Sequence, residues 1–325
     1  MKIIVTGCAG FIGSNLTEYL LGKGFEVIGV DNFNPYYSPE IKEFNIASFK
    51  EDQKFTLYKV DIVDKSALEK IFEQQKNVKA IVHLAAWAGV TYSVKAPQNY
   101  LLSNVLGTNN LAELAVKYGV RNFVFASSSS IYGDNRVPFK EDMDTSKPNA
   151  PYPATKKAGE VLLYSYHKNF DLEVTIFRFF NPLGPKLRPD MALPKLVRAA
   201  EYGREFSLYQ DPSSSSRDYT YIYHMLEAME LVLNKSFKYE IMNLGSSNPV
   251  SLVNLLTIVE KVTGKKIKIT TSLRGGQVKA TYADIEKTQK LIHYRPTTSL
   301  ESMVRIYYDW FVKQPDWYKQ FKNEI

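Results

Sequence analysis

Lys2-Ile3-Ile4-Val5-Thr6-Gly7-Cys8-Ala9-Gly10-Phe11-Ile12-Gly13, running on into Ser14-Asn15-Leu16-Thr17-Glu18-Tyr19-Leu20-Leu21, is the stretch that decides the fold. Lys2 to Thr6 is β-rich and largely apolar, as expected for a strand buried on both faces. Three glycines spaced G-x-x-G-x-x-G follow, and helical periodicity takes over from Ser14. A strand, a glycine turn and a helix in this order form a phosphate cradle. Glycines let the backbone pass close to a pyrophosphate, while the helix N-terminus offers N–H groups and a positive dipole. Gly7, Gly10, Phe11, Ile12 and Gly13 are the candidate contacts. Phe25 to Val30 reads as a second strand ending in Asp31, with Asn32 beside it. An acid ~20 residues past such a turn hydrogen-bonds an adenosine ribose and repels a 2′-phosphate, so NAD is expected over NADP.

Strand and helix patterns continue to alternate: strand Phe55 to Val60, helix Lys65 to Gln75, strand Ala80 to Leu84, a helical stretch from Gln98 to Tyr118, strand Asn122 to Ala126 and strand Glu173 to Arg178. This alternation predicts an α/β fold, a doubly wound parallel sheet of the Rossmann type, with a smaller mixed α/β C-terminal part. The expected division is 1–180 for the NAD-binding domain and 181–325 for the substrate domain, some segments of which return to the first. Ligands of such sheets lie at the carboxyl ends of strands. That places Asp61, Ile62, Leu84, Ala85 and Ala86 among the cofactor candidates. Asn104, polar among apolar neighbours, needs either backbone or cofactor partners. Residues 32–54 read as an insertion of undefined shape, and 180–216 as loops rich in Pro, Arg and Ser.

Composition narrows the class. The 325 residues are 45% hydrophobic and 23% charged, ordinary for a globular protein with a large core. No apolar run approaches the ~20 residues that span a bilayer. The first residues pass straight into a strand and the single cysteine, Cys8, rules out a disulfide framework, so a cytoplasmic location is expected. The net charge of +7 is spread along the chain without a basic block, which argues against a nucleic-acid partner and suits an anionic small substrate. No metal site is expected.

The chemistry is carried by Tyr152-Pro153-Ala154-Thr155-Lys156, ahead of a helical run from Lys157 to Lys168, and by Ser127-Ser128-Ser129-Ser130 before it. Residues four apart on a helix share a face. A phenol with a pKa near ~10 is a poor base at neutral pH. A cation ~4 Å away favours the phenolate by roughly 4 kcal/mol at an effective dielectric of ~20, about three pKa units. Tyr152 can then take a proton from a hydroxyl, with a serine completing the relay.

Assembled in order, these motifs resemble the extended short-chain dehydrogenase/reductase family, and within it the nucleotide-sugar 4-epimerases, above all those acting on UDP-glucuronate. The resemblance runs through Gly7 to Gly13 with Asp31, Val30 to Tyr37, His83 to Val90, Ser128 to Gly133, Tyr152 to Lys156, Arg178 to Pro182, Arg188 to Ala192 and Arg217 to Thr220. It implies NAD as cofactor, a UDP-sugar as substrate and a homodimer joined through the stretches 98–118 and 152–170. Tyr152 is implied as the acid/base, Lys156 as its electrostatic partner and Ser128 as the catalytic hydroxyl, with Ser129 the alternative. Asn181, Arg188, Arg217 and Arg274 are implied as diphosphate and sugar contacts. Thr91, Asn181-Pro182 and Arg274-Gly275-Gly276-Gln277 depart from the uronate pattern, and Tyr223-His224 replaces the family's usual Asp pair. They keep a UDP-glucose or UDP-GlcNAc 4-epimerase open beside the uronate enzyme. A UDP-glucuronate decarboxylase and a non-catalytic NAD-binding sensor are the further alternatives. Dehydratases of this family carry acids directly after the catalytic hydroxyl; here Ser129 and Ser130 stand there.

Overall fold

The computed structural model describes residues 1–209, 215–272 and 280–321. Two compact units make up the chain. One comprises 1–135, 141–179 and 226–243; the other comprises 136–140, 180–225 and 244–325.

The first unit is built on a seven-stranded sheet. Its strands are β1 (Lys2–Thr6), β2 (Glu26–Val30), β3 (Phe55–Tyr58), β4 (Val78–His83), β5 (Asn122–Ser128), β6 (Glu173–Phe179) and a seventh, Tyr239–Leu244. The spatial order is seventh strand, β6, β5, β4, β1, β2, β3, and the pairings from β3 through to β6 are parallel. The order reverses direction between β1 and β4, which is the crevice where such sheets take a dinucleotide. Helices α1 (Phe11–Gly22), α2 (Pro39–Ile46), α3 (Lys65–Gln74), α4 (Val90–Lys95), α5 (Pro97–Tyr100), α6 (Gly107–Lys117) and α7 (Pro151–Phe170) cover it. Ile4, Ile28, Ile81, Phe123, Phe125 and Ile176 of the strands form one core with Leu68, Ile71 and Phe72 of α3, Leu111 and Leu114 of α6 and Leu163 of α7. Strands apolar on both faces are what a sheet covered on both sides requires.

Four stretches differ from their sequence reading. Helix α7 begins at Pro151, not Lys157, so Tyr152 and Lys156 lie within it. Pro151 and Pro153 suggest a loop, but a helix's first turn has no intrahelical use for those N–H groups and tolerates proline. The stretch 98–118 is not one α-helix: α5 passes into a π-helical segment, Leu101–Leu106, before α6. In the second unit, the stretch read as loops contains an α-helix, Ala192–Tyr202, closed by Gly203 at φ +63°. Leu193, Leu196, Val197 and Ala200 make its buried stripe, interrupted by Arg198. The Arg198 guanidinium donates to the carbonyls of Tyr318 at 3.1 Å and Lys319 at 3.1 Å, partners over a hundred residues away that no local pattern reveals. The segment of undefined shape, 32–54, contains α2.

Candidate active site

The glycine turn is shaped by contacts that only glycine allows. Gly7 adopts φ +71°, and a Cβ there would stand 2.8 Å from the Ala85 backbone nitrogen. A Cβ on Gly13 would stand 2.0 Å from the Gly7 carbonyl oxygen, so α1 packs directly on the turn. Helix α1 starts at Phe11 with no side-chain cap and no acid in its first turn. Its first N–H groups therefore face the crevice without a built-in anion, which fits a bound pyrophosphate. Ile12 is the second residue of that turn.

Asp31 ends β2 and is buried. Its carboxylate accepts from the Ala9 N–H at 3.2 Å, the Phe33 N–H at 2.8 Å and the Lys42 ammonium at 3.1 Å. The same group that is expected to meet a ribose thus also ties the glycine turn to α2. Asn32 donates from its amide to Asp61 at 2.8 Å, joining the ends of β2 and β3. Ile62 lies in the core, where a Cβ on Gly107 would meet it at 2.5 Å, and its carbonyl accepts from Asn110. Leu84, Ala85 and Ala86 follow β4, all partly exposed. Asn104, in the π-helical segment, spends its amide on protein: Oδ1 accepts from the Trp87 N–H, and Nδ2 donates to the Trp87 carbonyl and Thr155 Oγ1. It clamps the loop after β4 to α7.

The candidate catalytic set sits where α7 packs on β5 and on the 3₁₀ turn Ser129–Tyr132. Ser128 ends β5, and its hydroxyl lies 2.8 Å from that of Ser130. Ser127, one residue earlier and on the opposite strand face, is buried and donates to Glu160 at 2.7 Å. Tyr152 is half-buried, its ring edge-on to Tyr100 at 6.0 Å between centroids. Lys156 is buried; its ammonium donates to the Ala126 carbonyl at 2.7 Å and lies 5.0 Å from the Phe125 ring centroid. Burial pulls the Lys156 pKa down to about 7, against the opposing pull of the Glu160 charge. The cation assumed from the sequence is therefore not fixed at neutral pH but poised. His83, behind it, is pushed well below its usual value by burial and by the Lys156 charge, so its ring is neutral. It bridges Thr6 and Thr108.

In the second unit, Asn181 holds φ +22° and reaches the Asp218 carbonyl at 3.4 Å. Arg188 grips Asp190 through two bonds, 2.9 and 2.5 Å. Burial works to raise the Asp190 carboxyl, but the Arg188 charge and bonds hold it below its ordinary value. Arg217 donates to the Ser216 carbonyl at 2.9 Å and has no carboxylate partner among the described residues. Burial lowers its pKa, and a guanidinium so placed suits an anion. Its neighbour Asp218 is fully buried, accepting from Ser246, Ser247 and Ala283. Arg274 lies outside the described residues.

Residues 3–245 match the model of the NAD dependent epimerase/dehydratase family. The chain belongs to this family. A curated relative, the UDP-glucuronate 4-epimerase of Thermodesulfobacterium geofontis, is 38% identical over 98% of this chain and 98% of its own. Among solved structures, the UDP-glucuronic acid 4-epimerase of Bacillus cereus, in complex with UDP-glucuronic acid and NAD, superposes with a TM-score of 0.89. The two are 33% identical over 95% of this chain and 98% of the other. The UDP-glucose 4-epimerase of Thermotoga maritima, with UDP-glucose, gives 0.88 at 28% identity over 96% and 99%. As a member of the epimerase/dehydratase family the protein uses NAD, and its glycine turn and Asp31 fit that cofactor.

Two residues of this site were missed in the sequence. Lys42 pairs with Asp31 from α2, inside the segment that had no assigned shape. Glu160 follows Lys156 by one helical turn and is 1% exposed. Its spacing from Lys156 was visible; its burial was not.

Proposed function

We propose that the protein inverts C4 of a UDP-sugar, converting UDP-glucuronate to UDP-galacturonate. The observation that carries this reading is the set at the β5–α7 junction: a strand-end hydroxyl (Ser128), a half-buried phenol (Tyr152) and a buried lysine (Lys156). Full-length likeness to UDP-glucuronate 4-epimerases supports the choice of sugar. Bound NAD supplies the hydride acceptor and donor at C4. The chain's own work is to move one proton and hold one charge. Tyr152 Oη takes the proton of the 4-hydroxyl, Ser128 Oγ hydrogen-bonds the same oxygen, and the Lys156 ammonium stabilises the phenolate. Inversion requires the 4-keto sugar to turn over, so that the hydride supplied by the cofactor would return to the other face of C4 while Tyr152 Oη returns its proton to the C4 oxygen.

Elimination would need an acid beside the catalytic hydroxyl, and Ser130 occupies that neighbourhood, bonded to Ser128. This favours epimerisation over dehydration. Gly7, Gly10, Phe11, Ile12, Gly13, Asp31 and Asn32 are the proposed NAD contacts, and Asn181, Arg188, Arg217 and Arg274 those of the UDP-sugar. The unit of 1–135, 141–179 and 226–243 serves as the NAD-binding lobe and the other as the sugar-nucleotide lobe. Leu101, Leu102 and Leu106 of the π-helical segment and Val161 and Tyr164 of the adjoining α7 are exposed. This apolar row supports a homodimer formed through these helices. We place the enzyme in the cytoplasm, supplying an activated uronic acid for polysaccharide assembly. No helix among the described residues is long and apolar enough to cross a membrane.

A second reading, a UDP-glucose or UDP-GlcNAc 4-epimerase, draws support from Thr91 and Asn181 and from the likeness to the Thermotoga maritima enzyme. One assay separates them. Purified protein is given UDP-glucuronate, UDP-glucose and UDP-GlcNAc, and the products are resolved by chromatography. UDP-galacturonate as the main product is expected. UDP-xylose with released CO₂, or turnover of the neutral sugars alone, would overturn the choice.

A further inference from the structure

Behind the catalytic set lies a buried polar network. Glu160 of α7 is 1% exposed and so is Arg178 of β6. They are joined by two bonds, Arg178 Nε to Glu160 Oε1 at 3.0 Å and Nη2 to Oε2 at 2.9 Å. Ser127 of β5 donates to the same Oε1, and Lys157 stands 3.5 Å from Oε2. Arg178 also reaches the Tyr132 hydroxyl at 2.9 Å and the Glu141 carbonyl at 3.0 Å, and Tyr132 donates to Asn243 at 2.7 Å. Every element that presents a candidate catalytic residue is tied into this chain: β5, the 3₁₀ turn and α7.

A buried ion pair is weak evidence for stability, because desolvating two charges costs about what their attraction returns. Here the pair has a neighbour that needs it. Lys156 and Glu160 are four apart on α7, on one face and one turn apart. The groups around the Lys156 ammonium are the Ala126 carbonyl and Phe125 ring of β5 and neutral His83 of β4; Tyr152 and Glu160 stand one turn to either side along α7, the Glu160 charge acts on Lys156, and beyond Glu160 lie the cations Arg178 and Lys157. Among them Glu160 is the one fixed negative charge. We propose that Glu160 is a positioning residue of the reaction: its carboxylate, shared with Arg178 and Ser127, keeps the Lys156 ammonium charged and α7 seated on β5. Arg178 sets how much of that charge reaches Lys156. Burial works against the Arg178 charge, yet the Glu160 bonds raise its pKa overall, so this partner stays cationic throughout. The inference rests on the role given to Lys156 above.

The two partners then act with opposite sign. Glu160→Gln removes the negative charge, so Lys156 loses its proton at lower pH. The alkaline limb of the kcat–pH profile moves down by about one pH unit or more, as expected on losing a charge one helical turn away at an effective dielectric of ~20. Arg178→Gln removes the competing cation and moves the limb up. Glu160→Asp, which keeps the charge, restores the wild-type limb. A merely structural pair would lower activity in both variants without opposed shifts.

The experiment measures kcat against pH for the holoenzyme and these variants with UDP-glucuronate. In parallel, it follows the ¹³Cε titration of Lys156 in lysine-labelled protein, assigned by its loss in Lys156→Gln. Opposed movements of limb and titration are expected. Movements in one direction, or none, overturn the proposal. If Glu160→Gln does not fold, Glu160→Gln/Arg178→Gln against Arg178→Gln makes the same comparison, with the double variant expected lower. If the wild type does not turn over UDP-glucuronate, the functional reading fails while the titration still decides this one.

Discussion

The β2 end of the sheet and the β5 end each bury a lysine, and they treat its charge in opposite ways. At β2, Lys42 meets the Asp31 carboxylate at 3.1 Å, and Asp31 takes two further backbone donors. Charge and hydrogen bonds there close on themselves, as in a frame built to hold a ligand still. At β5, Lys156 is buried as deeply but donates only to a carbonyl, and its pKa falls to about 7. The carboxylate whose charge acts on it, Glu160, is bonded to Arg178. A cation left out of balance costs stability, and such imbalance is characteristic of sites where a proton must move. The first region suits positioning; the second is where we propose that the reaction occurs.

The largest effect should come from removing the reacting oxygen. Tyr152→Phe is expected to lower kcat by about 10³-fold or more while the protein still binds NAD. The check is steady-state turnover beside measurement of co-purified nucleotide. Loss of both together would place Tyr152 in the frame rather than in the chemistry.

Next come the lysines, whose removal should change stability in opposite directions. Lys42→Met leaves Asp31 buried without its cation and is expected to cost about 3 kcal/mol. Lys156→Met removes a charge the fold disfavours. The folded value of about 7 lies below the unfolded one near ~10.4, so the penalty is complete below pH 7 and fades as pH rises toward ~10.4. The variant should therefore be inactive, yet more stable than wild type at pH 6 by roughly 2–4 kcal/mol, and this advantage should shrink by pH 9. Urea denaturation at the two pH values checks both. A Lys156→Met protein no more stable at pH 6 than wild type would remove the contrast.

The smallest effect separates adjacent serines. Ser128→Ala should lower kcat about 10- to 100-fold with little change in stability. Ser127→Ala loses a hydrogen bond to a charged group and should cost about 1–2 kcal/mol of stability with activity within a few-fold. Reversed results would make Ser127 the reacting hydroxyl.

Much of the frame was legible in the sequence because it depends on local pattern. Apolar strands, the glycine spacing and an acid closing β2 are short-range signals, and they led to the sheet and the dinucleotide crevice. Tyr152 and Lys156 were singled out by their spacing together with the family resemblance of the surrounding motifs, although prolines hid the start of their helix. What escaped was set by distant parts of the chain. Lys42 acquires its meaning only when α2 packs over β2. That Ser127 rather than Ser128 bonds Glu160 follows from which strand face meets α7. Arg198 obscured a helix because its partners lie near the C-terminus. The amide of Asn104 is aimed by a π-helical segment, which no periodicity announces.

The central claim is that C4 gives up its hydrogen and receives the same one back inside the pocket, while Tyr152 handles only the hydroxyl proton. UDP-glucuronate deuterated at C4 tests this most directly. UDP-galacturonate that keeps its deuterium at C4, in ordinary water, is the expected product. Loss of that label to solvent would contradict it.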